Sequence, residues 1–252
     1  MKVSAIVLTK NEENNIERCL DGIEWCDEVI VIDDYSTDNT RNIAKNRGAV
    51  VVKRRLNDDF ASQRNYGLEK ANNKWVLFVD ADEVVSPLLH DNIVRRLKEA
   101  EYDGFLIPRQ EYFVNNKLNC ADKPAWDWSF GFNKLLRLGK KSAGKWKGRV
   151  HEVWKIGGEI GELEGRLIHY SYPGITTALK KVNQYSSIRA KELADERKRA
   201  KLFDILTYPT AKFLKNFFWQ GGYKDKTEGF IYCLLIAFQS FLIRSKLWQK
   251  SN

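Results

Sequence analysis

Two rhythms of apolar and polar positions share the first hundred residues. Lys2 to Thr9 (KVSAIVLT) is an almost unbroken apolar, β-branched run, the pattern of a strand covered on both faces. Asn11 is placed to cap a helix, with Glu12 and Glu13 in its first turn and Ile16, Cys19, Leu20 and Ile23 recurring at helical spacing. Glu28 to Ile32 (EVIVI) predicts a second strand. Asn39 to Arg47 predicts a helix capped by Asp38 and ended by Gly48. Ala49 to Lys53 predicts a third strand, Phe60 to Ala71 a helix, and Lys74 to Val79 (KWVLFV) a fourth strand. Pro87 sits in the first turn of a helix reaching about Ala100. Strands alternating with helices imply an α/β fold, a parallel, doubly wound sheet.

After Asp103 the rhythm changes. Short strands such as Gly104 to Pro108 and Lys134 to Leu138 surround a Trp- and Gly-rich stretch. From about Pro173 the pattern is helical in three pieces, Thr176 to Lys201, Asp204 to Trp219 and Asp225 to Trp248. The expected division is a catalytic α/β domain over 1–172 and a helical extension over 173–252.

Charge sharpens that division. The 252 residues carry a net charge of +9, yet residues 1–179 hold 27 Lys and Arg against 27 Asp and Glu. Residues 180–252 hold 15 against 6, so the whole excess lies in the extension. Such a block seeks an anionic surface, nucleic acid or lipid headgroups. Within it, Gly229 to Ile243 is a 15-residue apolar run. A span needs about 20 residues, so this reads as a buried or interfacial helix flanked by lysines and arginines, or equally as a helical lid over the catalytic domain with its basic residues solvated. Four cysteines without a CxxC pair, and three histidines, exclude a Cys/His zinc cluster and fit reduced thiols. Polar Lys10-Asn11-Glu12-Glu13 follows the N-terminal apolar run too soon for a signal peptide, so a cytoplasmic protein is expected.

Open α/β sheets bind ligands at the carboxyl ends of their strands. After the first strand stands Thr9-Lys10-Asn11-Glu12-Glu13, which has no glycine-rich phosphate loop. That excludes a dinucleotide-binding turn and a Walker A loop. After the second stands Asp33-Asp34-Tyr35-Ser36-Thr37-Asp38. Two adjacent carboxylates at a strand end cost stability, which favours a functional role over a turn. After the fourth stands Asp80-Ala81-Asp82-Glu83. Residues i and i+2 point the same way, so Asp80 and Asp82 are expected to converge on a hard cation, Mg²⁺ or Mn²⁺. Arg64, in Gln63-Arg64-Asn65-Tyr66-Gly67, reads equally as a diphosphate or base contact and as a solvated helix residue. Trp126, Trp128, Trp146 and Trp154 read first as core residues and second as sugar-stacking platforms.

Taken in order, Ile6 to Glu12, Val31 to Thr40, Arg64 to Gly67 and Phe78 to Glu83 resemble the inverting family 2 glycosyltransferases of GT-A fold. The rest of the chain more weakly resembles the bacterial lipopolysaccharide core β-1,4-glucosyltransferases. The resemblance implies a GT-A, Rossmann-like, mostly parallel sheet. It implies transfer of a hexose, glucose first, from a UDP-sugar to a glycolipid acceptor with inversion. Thr9, Asn11 and Glu12 would line the nucleoside pocket, and Asp33 or Asp34 would bind the uracil or ribose. Arg64 would reach the base or diphosphate, Asp80 the ribose or metal, and Asp82 would hold the metal.

The family's later acidic pair is replaced here by Arg149-Val150-His151-Glu152-Val153-Trp154, in which Glu152 takes the place of the general base. Asp122 and Asp127, in the Trp-rich loop, are its rivals. His151 is either a further metal ligand or a structural or substrate-orienting donor. The expected partners are a nucleotide sugar, a glycolipid acceptor and the anionic cytoplasmic face of an inner membrane, and no nucleic acid. A protein or peptide acceptor is the alternative within enzymes, and a nucleic-acid-binding protein the distant alternative outside them.

Overall fold

Every residue of Val3–Thr9 is buried, which is why this strand, β1, is apolar without alternation. In a computed structural model of the chain, which describes residues 1–98, 101–114, 116–118, 134–149 and 152–251, β1 lies between β2 (Glu28–Asp33) and β4 (Trp75–Asp80). It runs parallel to both. β3 (Val50–Lys53) continues the parallel side beyond β2. Beyond β4 the sheet turns antiparallel through β8 (Lys134–Lys140) and β6 (Gly104–Phe113), followed by β12 (Leu167–Tyr172) and β5 (Glu83–Val85), while the short β7 (Asn116–Lys117) and β11 (Ile160–Glu162) pair with β6. The expected parallel sheet therefore covers the first four strands, and the later strands make it mixed.

The helices over β1–β4 follow from local chemistry. Helix α3 (Phe60–Lys70) is capped by Asp59, whose carboxylate accepts the Ser62 N–H at 2.8 Å. Helix α4 (Pro87–Arg96) opens with Ser86 as cap and Pro87 in the first turn. Helix α2 (Thr40–Asn46) ends before Gly48, whose φ of +77° few other residues adopt. Helix α1 departs from expectation, because it spans only Ile16–Asp21. Asn11 does not cap it: at φ +53° it turns its side chain to the neighbouring loop and accepts the Thr37 N–H at 2.8 Å.

Alternate β1 residues feed two cores. Val3, Ala5 and Val7 pack with Ile16, Leu20, Leu89 and Ile93 on one face of the sheet. Ile6 and Leu8 pack with Ala61, Leu68 and Phe78 on the other. Trp146 and Trp154 belong to this second core. They face each other across the hairpin β9 (Gly144–Lys147) and β10 (Val153–Ile156), stacked at 5.5 Å, and each meets Phe78 edge-on. For these two tryptophans packing is the role; Trp126 and Trp128 lie outside the described residues.

The chain divides into two compact units, Met1–Arg109 with Asn133–His169, and Gln110–Phe132 with Tyr170–Asn252. The second contains α5 (Ile175–Asp195), α6 (Leu202–Leu214), a π-turn (Lys215–Trp219), a 3₁₀ turn (Gly222–Asp225) and α7 (Lys226–Ser251). Phe113 and Leu118 share a buried cluster with Ala178, Cys233 and Leu235. The apolar segment here outruns the 15-residue sequence estimate. The 30 helical residues Gly222–Ser251 are long and apolar enough to cross a membrane by length and composition alone.

Candidate active site at the ends of the parallel strands

Two loops, one from the end of β1 and one from the end of β2, are fastened to each other. The Asn11 N–H donates to Ser36 Oγ at 2.9 Å, the Glu12 N–H to Thr40 Oγ1 at 2.8 Å, and the Asp34 N–H to the Thr9 carbonyl at 2.9 Å. The Asp33–Asp34 pair is split by burial. Asp33 is wholly buried and accepts the Ser36 N–H, bracing its own turn. Asp34 takes an ion pair from Lys10 at 2.7 Å and accepts the Leu56 N–H at 3.1 Å. Thr9 Oγ1 is buried there without a hydrogen-bond partner among the described residues.

The centre of the site is Asp80, the last residue of β4. Arg64 Nη2 donates to its Oδ1 at 2.9 Å and Arg137 Nη2 to its Oδ2 at 2.8 Å. Burial pushes the Asp80 carboxyl up, but Arg137 and Arg64 outweigh it and hold the group well below the usual carboxylate range. Arg64 also reaches Glu152, its Nε donating to Oε1 at 2.7 Å. Both arginines lie over Trp146, with guanidinium-to-ring distances of 4.8 and 5.9 Å. The solvated-helix reading of Arg64 is thereby excluded, since its side chain is only 3% exposed. Helix α3 is held in register by Asn65, whose side-chain amide makes two hydrogen bonds with the Trp146 backbone, at 2.9 and 3.0 Å.

Asp82 Oδ1 lies 3.4 Å from Nε2 of His169, on β12, and both side chains are largely buried. Glu83 turns fully inward, accepts the Asp80 N–H at 2.9 Å, and faces Arg109 and Arg137 at 3.8 and 3.9 Å. Burial pushes its carboxyl up, Arg137 only partly offsetting this. Among the described residues no group of three His, Cys, Asp or Glu gathers at metal-binding distance. His151, Asp122 and Asp127 lie outside the described residues.

Arg109, Arg137 and His169 escaped the sequence reading. Each sits on a strand formed late in the chain, and only the pairing of those strands brings it to the end of β4. The His169–Glu83 register of β12 on β5 is the contact that delivers the imidazole to Asp82.

The family model for glycosyl transferase family 2 matches residues 4–146, more than half of the chain. The chain belongs to that family. Its α/β architecture is the GT-A fold, and it is a glycosyltransferase. An uncharacterized glycosyltransferase of Rickettsia typhi is 31% identical over 99% of this chain and 88% of its own length. The lipopolysaccharide core biosynthesis glycosyltransferase LpsC of Rhizobium meliloti is 24% identical over 99% of this chain and 93% of its own. Glucosyl-3-phosphoglycerate synthase from Mycobacterium tuberculosis, solved with Mn²⁺, UDP and glucosyl-3-phosphoglycerate, matches with a TM-score of 0.37. That match is 25% identical and covers 44% of each chain, less than half of the solved protein.

Proposed function

We propose that this glycosyltransferase moves a hexose, glucose first, from a UDP-sugar to a glycolipid acceptor of the lipopolysaccharide core type, with inversion. The acceptor would be met at the anionic cytoplasmic face of the inner membrane. The observation that carries the reading is the arrangement at the end of β4. Asp80 is gripped by two arginines, Asp82 lies beside an imidazole, and Glu152 is tied to the same Arg64. The similarity to LpsC along almost the whole chain supports the acceptor class.

The Asp82 carboxylate suits Mn²⁺ or Mg²⁺ and would hold the ion, with the His169 imidazole, 3.4 Å away, a second ligand that Mn²⁺ accepts more readily than Mg²⁺. When bound, such an ion offsets the negative charge that grows on the departing diphosphate. Arg64 and Arg137 add fixed positive charge beside it, oriented by Asp80 and so spared reorganisation during transfer. Inversion needs one base on the acceptor side, to take the hydroxyl proton as its oxygen attacks the anomeric carbon. Glu152 fills that role: Arg64 fixes its orientation through Oε1, and Oε2 is the atom that takes the proton. The ends of β1 and β2, with Thr9, Asn11, Glu12 and Asp34, would receive the nucleoside.

The test measures transfer and donor binding for a panel of UDP-sugars with and without Mn²⁺. UDP-glucose with Mn²⁺ should raise the melting temperature most, because ligand bound only by the folded state stabilises it. Asp82→Asn should lose the metal-dependent part of donor affinity. Glu152→Gln should keep donor affinity and lose about 10²–10⁴-fold in turnover. Metal-independent donor affinity in the parent protein would sink the Asp82–His169 assignment. A full-rate Glu152→Gln variant, with Asp122→Asn or Asp127→Asn inactive, would move the base to the Trp-rich loop.

A further inference from the structure

Helix α6 has the sequence LFDILTYPTAKFL, yet none of its residues is buried. Leu202, Phe203 and Leu206 are 70%, 74% and 61% exposed, and Trp219 in the following π-turn is 75% exposed. A helix this apolar with no buried residue is not a normal surface element. Helix α7 adds a stripe. Phe230, Leu234, Phe238, Phe241 and Trp248 recur at helical spacing and are all exposed, while the small residues Cys233 and Ala237 beside them, and Leu247, are buried. The two exposed faces adjoin within the second unit. Phe213 and Phe217 of the α6 segment meet Phe230 edge-on at 5.8 Å, and Arg244 of α7 lies 4.2 Å over the Tyr208 ring.

The charge around this surface says what covers it. Residues 196–226 hold eight Lys and Arg against three Asp and Glu. Lys201 and Lys224 are exposed beside the apolar residues, and Lys212 and Lys215 partly so. A second copy of the chain would set this basic surface against itself. An anionic bilayer neutralises it while taking up the aromatic and aliphatic side chains. Trp219, Tyr223 and Trp248 are the residue types that settle at headgroup depth.

We infer that α6, its π-turn and the exposed stripe of α7 form a membrane-embedding surface that lies in the plane of an anionic phospholipid leaflet. This rests on the proposed glycolipid acceptor and goes further, because it names the surface that carries the enzyme to it. The helices lie flat rather than cross. The opposite side of α7 is packed against α5, to which Lys246 is tied through the Asn183 carbonyl and Ser186 Oγ at 2.7 Å each. Basic residues capture the protein at the surface, and burial of the apolar residues retains it.

The full-length protein is mixed with vesicles of phosphatidylcholine alone or mixed equally with phosphatidylglycerol, and sedimented. It should pellet only with the anionic vesicles. Once bound it should stay bound in 1 M salt, where surface charge is screened to about 3 Å. Lipids brominated along the acyl chain should quench its tryptophan emission, less so in Trp219→Phe. Phe203→Glu with Leu206→Glu should lower the partition coefficient about tenfold or more, with unchanged UDP-sugar hydrolysis in the absence of vesicles. Several outcomes overturn the inference: no pelleting at low salt, full release by salt, absence of quenching, or undiminished partitioning of the double variant. A lipid-free dimer that the double variant abolishes also overturns it, since a second copy would then be the occupant. The quenching on the parent protein stands as evidence even where a variant fails to fold. Sedimentation by a protein that hydrolyses no nucleotide sugar would leave this surface standing and remove the catalytic reading instead.

Discussion

Asp80 is the residue on which the site turns, and its charge state is a stability matter as well as a catalytic one. Its folded pKa is depressed by Arg137 and Arg64, so in the metal-free protein it contributes stability above the unfolded value of about 3.9. That contribution is lost as pH falls below 3.9 towards the folded value. Glu83 works in the other direction. Its folded pKa is raised, so lowering the pH through that raised value stabilises the fold until the unfolded value is passed. Stability should therefore rise slightly on mild acidification and fall below about pH 4. Asp80→Asn should flatten the acid limb and cost about 2 kcal/mol at neutral pH, less than the 3–5 of a fully buried pair, because 26% of the Asp80 side chain is exposed. Urea unfolding from pH 2 to 8 measures both; an acid limb equally steep in the variant would show that other carboxylates govern it.

Helix α3 is the element that carries sequence into chemistry, because the buried face that presents Arg64 to the site is also the face that meets β1. The helix approaches the strand at Gly67, where an added Cβ would lie 2.6 Å from Ile6 Cγ2. Gly67→Ala should shift α3 outward, cost about 1–3 kcal/mol, and weaken donor binding by misplacing Arg64. Donor affinity equal to that of the parent protein would show the helix is not held by this contact. How much was legible followed the same division. Strands and helices up to Arg96 were readable because their signals are local: buried runs, Pro87 in a first turn, Gly48 as a stop. Asp80, Asp82 and Arg64 were readable as strand-end or near-helix-start residues. The late start of α1 was not, because the Asn11–Thr37 hydrogen bond joins two loops and overrides a local capping preference. Nor were Arg137 and His169, whose meaning depends on which strands pair.

At the scale of the whole chain, +9 of net charge and the most exposed apolar helix fall in the same C-terminal segment, while the carboxylate–arginine network lies in the first unit. Deleting the segment looks like a simple way to separate binding of membrane from catalysis. The structure argues otherwise. The second unit draws on two stretches of chain, and Phe113 and Leu118, 1% and 0% exposed, are buried with Ala178, Cys233 and Leu235. A chain ending at Ala178 loses Cys233 and Leu235 and bares both side chains, each worth about 2 kcal/mol of burial. Such a chain should bind a hydrophobic dye, melt at a lower temperature and aggregate on concentration, whatever its affinity for lipid. Dye binding and calorimetry on residues 1–178 check this. A monomeric, cooperatively melting fragment that ignores the dye would show that residues 110–118 do not depend on the helices for their core. Failing that, the point variants of α6 are the sound way to remove membrane contact from an intact glycosyltransferase.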